Sequence, residues 1–104
     1  YDINKVSELY RTNCLVCHGE TLAGDGRMGQ IMIEKGLSPV PANLNFPETQ
    51  DATEADLFAF ISWGGRMGSA ANFRGKQSTS PMPQFRLLLS ESDRWALVKY
   101  VLDQ

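Results

Sequence analysis

Cysteine and histidine are almost absent from this chain, which holds two of the first and one of the second in 104 residues. That scarcity excludes a four-ligand zinc site, which needs more thiols or imidazoles than the chain contains. An excess of charge of one sign is also lacking. The formal net charge is −2 and the pI is near 5.3, which leaves no basic footprint for nucleic acid, so electrostatic docking has to come from a local patch. No apolar run approaches the ~20 residues needed to span a bilayer. Repeats, low-complexity tracts and signs of a second domain are missing too, so residues 1–104 read as one domain near the lower end of common domain sizes. A chain this short buries a modest fraction of its surface, and a large apolar cofactor would form a substantial part of its core.

What is present is concentrated. All three of the scarce residues fall in Cys14-Leu15-Val16-Cys17-His18. C-x-x-C-H is the attachment signature for c-type haem, in which two thiols add across the vinyl groups and the histidine ligates the iron. The rival reading, a thioredoxin-like disulfide, wants the pair opening a helix after a strand, whereas residues 3–13 read as a helix. One haem c, bound through two thioethers to Cys14 and Cys17 with His18 on the iron, is the expected cofactor. Covalent haem c implies assembly in the periplasm or on the equivalent outer face of the cytoplasmic membrane. The chain opens at Tyr1 without a basic-then-apolar leader, as expected of a processed or trimmed product.

Three segments read as helices. The first runs from about residue 4 into the motif, with Ile3, Val6, Leu9, Tyr10 and Cys14 spaced by three and four on one face. The second starts at Thr53, where Thr53-Glu54-Ala55-Asp56 resembles a capping box, and Gly64-Gly65 stops it after Trp63. The third starts at Ser90, with Asp93 three residues on, and carries Trp95, Leu97, Val98, Val101 and Leu102. A shorter, weaker piece falls around residues 27–35. Between these lie two long proline-containing connections, residues 36–52 and 65–89, without the alternation of a sheet. Loops of that length in a compact domain are functional or wrap around something, and a haem is what they would wrap.

The second axial position decides between electron transfer and ligand chemistry. With no second histidine, four methionines remain: Met28, Met32, Met67 and Met82. The first two lie soon after His18, where the expected role is filling space against the porphyrin. Met82 is favoured because Pro81 and Pro83 restrict the backbone on both sides and lower the entropic cost of holding a weak ligand. Met67 is the rival, and an open or lysine-ligated iron stays as a third alternative.

Taken in order, Cys14-x-x-Cys17-His18-Gly19, Tyr10 four residues before it, a Met82-Pro83-x-Phe85 loop, and Leu97 with Tyr100 on a closing helix resemble class I cytochrome c of the bacterial type. The resemblance covers nearly the whole chain. It implies an all-α fold of about three to five helices wrapped around one covalently bound haem. It also implies that a carbonyl of a proline-containing loop accepts the second proton of the haem histidine, with Pro41 preferred to Pro39. Val6 stands where the family usually has a small residue at the crossing of the terminal helices, which implies a wider or shifted contact. Trp63 and Arg66, with Arg74 or Lys76, are candidates to meet the propionates.

The expected function is that of a soluble or tethered single-haem electron carrier with His18 and Met82 on the iron, not of an enzyme. A dry pocket would draw on Leu22, Ile31, Met32, Leu44, Phe58, Ile61 and Phe85. Redox proteins would dock at the exposed haem edge beside Cys14 and Cys17, in small transient encounters with a monomer. The competing reading is a haem enzyme or gas sensor with an open or displaceable sixth ligand.

Overall fold

The computed structural model describes residues 2–36, 41–64 and 82–103, and among these every regular element is a helix. Helix α1, Ile3–Asn13, is capped by Asp2, whose carboxylate accepts from the amides of Asn4 and Lys5. Its apolar residues four apart, Val6 and Tyr10, are buried. The chain then dips at Cys14 and makes a single turn, α2, Leu15–His18, ended by Gly19 at φ +84°. Helix α3 is Arg27–Glu34, and α4, Pro47–Gln50, is one turn started by a proline at its first position.

Helix α5, Glu54–Trp63, begins where the Thr53 hydroxyl accepts from the Asp56 amide and ends at Gly64, φ +75°. A short 3-10 turn, Phe85–Leu87, leads to α6, Glu91–Leu102, capped by Ser90 through the Asp93 amide. The two caps and the Gly64 stop fall where the sequence marks them. The two single turns, α2 and α4, raise the helix number above the expectation, because four residues are too few for an apolar period to register.

The core forms where α6 lies across α1. Val6, Tyr10, Leu97 and Val101 cluster there with Leu22, which arrives from the loop after the cysteine motif. Tyr10 and Tyr100 pack with ring centres 5.3 Å apart at 35°. Val6 is 1% exposed, so the crossing takes a branched side chain into its centre and needs no small residue there. Full burial of a side chain such as Leu97 contributes about 1.5–3 kcal/mol. The Lys5–Asp93 ion pair at 3.6 Å also joins α1 to α6, but Lys5 is exposed, so its contribution is at most about 1 kcal/mol.

On its other side α6 meets α5. Phe58 stacks on Trp95 at 3.9 Å and 14°, and the Arg94 guanidinium lies over Phe58 at 5.0 Å while donating to the buried Ser62 hydroxyl at 2.8 Å. Phe58 is thus engaged at the contact between the two helices.

Candidate haem site

Helix α1 hands its last turn to Cys14, whose amide still bonds the Tyr10 carbonyl, so both thiols are fixed relative to the core. Cys14 and Cys17 are free thiols and partly buried. Burial, with Cys17 adding to it, pushes the Cys14 thiol up to about 12, and burial raises Cys17 as well. Both are therefore neutral thiols at pH 7.

The loop that follows is held tightly. The buried Tyr10 hydroxyl donates to the Gly19 carbonyl at 2.7 Å, and the Leu22 amide donates to the same oxygen at 3.3 Å. Leu22 has φ +64°, a left-handed conformation that costs a branched side chain on the order of 1 kcal/mol. Its side chain is 2% exposed, and that burial outweighs the cost. Farther on, Gly29 of α3 packs on the Cys17 carbonyl so closely that a side chain would not fit.

His18 is held by both its backbone and its ring. Its carbonyl accepts from the Gly24 amide at 2.8 Å, and ring Nδ1 lies 3.0 Å from the Ala42 carbonyl oxygen. The acceptor is Ala42 and not the Pro41 implied by the family resemblance. The Pro41 carbonyl is turned toward Gly24 instead, where a Cβ would stand 2.7 Å from its oxygen. Burial lowers the His18 pKa, with the bond to Ala42 opposing. The ring is neutral at pH 7, and with Nδ1 donating to Ala42, Nε2 keeps its lone pair. A neutral imidazole with an oriented ring and two unoxidised thiols one turn apart is the donor set that haem c requires, so the residues fit the group.

Of the methionines, Met28 on α3 is 43% exposed and Met32 is half-buried. Met82 is half-buried as well, and its carbonyl oxygen would be 2.7 Å from a Cβ at Gly64, so its loop sits directly on the end of α5. Met67, Pro39, Arg66, Arg74 and Lys76 lie outside the described residues. Trp63, 37% exposed, is covered by the Arg86 guanidinium, 4.4 Å from its ring centre, a cation that sequence reading did not single out. Leu22 and Phe85 are buried, while Leu44 and Ile61 pack against the core cluster. No helix among the described residues is long and apolar enough to cross a membrane.

Described residues that are helical throughout their regular structure, closed by crossed terminal helices and with a C-x-x-C-H turn after the first, have the class I cytochrome c fold. The sequence pattern of that family, cytochrome c, matches residues 3–104, and the chain belongs to it. Membership makes this a haem-binding electron-carrier domain with covalently attached haem c, and it implies redox protein partners. A comparison with curated proteins finds no match to the chain.

Proposed function

We propose that residues 1–104 form a single, monomeric cytochrome domain that carries one electron at a time between respiratory or other redox proteins in the periplasm. The observation that carries this reading is the His18 ring, with its Nδ1 on the Ala42 carbonyl, beside Cys17 and one turn from Cys14, both free thiols. Cys14 and Cys17 would tether the haem, and His18 Nε2 and the Met82 thioether would hold its iron. When bound, the haem supplies an iron that accepts and releases one electron.

The chain's own contribution is constraint. Gly24 and Ala42 orient the imidazole, and Pro83 with the Gly64 notch seats the backbone of Met82. With both donors supplied by the protein, substrate would have no place on the iron, and on that ground we read the domain as a carrier and not an enzyme. Redox partners meet the edge beside Cys14 and Cys17.

A reduced-minus-oxidised spectrum with a pyridine haemochrome tests the reading. We expect one doubly linked haem c per chain, a low-spin ferric state and a long-wavelength thioether band that Met82→Ala abolishes. A high-spin ferric haem at neutral pH would refute the carrier. A band that survives Met82→Ala would transfer the ligand role to Met67.

A further inference from the structure

Residues 41–46 contain no helix, yet their backbone is pinned to three other parts of the molecule. The Ala42 carbonyl meets His18 Nδ1 at 3.0 Å, and the Leu44 amide donates to the Leu22 carbonyl at 2.7 Å. The Asn45 side-chain amide donates to the Thr21 carbonyl at 2.8 Å. Gln50, on α4, donates to the Leu44 carbonyl at 2.6 Å and to the Val101 carbonyl at 3.1 Å, which ties the strap to the end of α6.

Ala42 is exposed and carries only a methyl group, so it cannot fix its own carbonyl by packing. One amide bond from Leu44 fixes a point on the strap but leaves it free to pivot about that point. The Asn45 and Gln50 side chains, which hold the strap at Asn45 and at the Leu44 carbonyl just after that bond, remove the pivot. Asn43 keeps Asn45 in place by accepting its backbone amide at 2.9 Å in an Asx turn.

We propose that Asn45 and Gln50 are positioning residues which, by fixing the register of this strap, set the strength of the His18 to Ala42 hydrogen bond and hence the reduction potential. The inference rests on the reading of His18 as axial ligand. A histidine that donates strongly through Nδ1 is a more basic ligand at Nε2 and favours ferric iron. Loosening the acceptor weakens that preference and raises the potential.

The test uses the full holoprotein. Asn45→Ala and Gln50→Met each remove one anchor, the second at nearly constant volume. Thr53→Ala, which removes the α5 cap and none of the strap's hydrogen bonds, is the control for stability loss alone. Reduction potential is measured by spectroelectrochemical titration, and exchange of the His18 Nδ1 proton by NMR of the nitrogen-15-labelled reduced protein.

Both anchor variants are expected to shift the reduced-to-oxidised ratio at fixed potential toward reduced by up to about tenfold, the low end of outer-partner effects. Tenfold is ~59 mV for a one-electron couple. Both are also expected to speed Nδ1 exchange, while Thr53→Ala changes neither. Parental potential and parental exchange in both anchor variants would overturn the proposal. If Gln50→Met does not fold, Asn45→Ala, at an exposed position, decides alone. The axial reading fails separately, if His18→Met leaves the parental optical spectrum and potential unchanged.

Discussion

Replacing Tyr10 by phenylalanine removes one oxygen and one hydrogen bond from the centre of the fold. The hydroxyl is buried and donates to the Gly19 carbonyl at 2.7 Å. A net contribution of ~1 kcal/mol is typical for such a bond, and an orphaned buried acceptor adds ~1–3 kcal/mol. Here the acceptor is not orphaned, because the Leu22 amide stays on the same oxygen at 3.3 Å. The ring also keeps its partner, Tyr100, at 5.3 Å. The expected loss for Tyr10→Phe is therefore about 1 kcal/mol, or roughly 4–8 °C in Tm for a domain of this size. Urea unfolding of the holoprotein followed by far-ultraviolet circular dichroism measures it. A loss above about 3 kcal/mol would show that Leu22 does not satisfy the carbonyl, and no loss would show that the hydroxyl is not bonded there.

The same residue carries a pH signature. Burial, with Cys14, Tyr100 and Asp25 adding to it, raises the Tyr10 phenol above its ordinary value of 10.0. A phenol whose pKa is higher folded than unfolded contributes stability that is complete below pH ~10 and is lost as pH climbs from there toward the folded value. Tyr10→Phe should lack that part of the parent's alkaline decline.

Two further substitutions probe the frame around the site. Leu97→Ala empties a position 2% exposed between α1 and α6 and should cost about 2–5 kcal/mol, measured by the same unfolding. Gly64→Ala forces a side chain into φ +75° and against the Met82 carbonyl, so it should destabilise by at least ~1 kcal/mol and weaken the thioether band; a parental spectrum and stability would show that the notch is not needed.

Much of the frame was legible because its signals are local. Thr53 and Ser90 mark helix starts through bonds that close within three residues, whereas the pairing of Tyr10 with Tyr100 came from the family resemblance. The identity of the carbonyl opposite His18 was not legible. Every residue carries a carbonyl, so which one faces the ring depends on how Gly24 and the strap meet, which contacts between segments distant in sequence decide. Asn45 and Gln50 were missed for a related reason: amides with backbone partners look like ordinary surface residues in a sequence. The pattern Asn43-x-Asn45 followed by Pro47, an Asx turn running into a helix start, was the one available hint.

The placement of the haem motif also separates two events in the life of the chain. Cys14, Cys17 and His18 emerge from synthesis long before α6, whereas α1 finds its partner only when the two ends of the chain meet. Closing so long a loop is the kinetically costly step of such a topology. The residues that would form the covalent anchor are therefore all present before the terminal helices can meet. Once made, it supplies an apolar surface on which the remaining helices can condense.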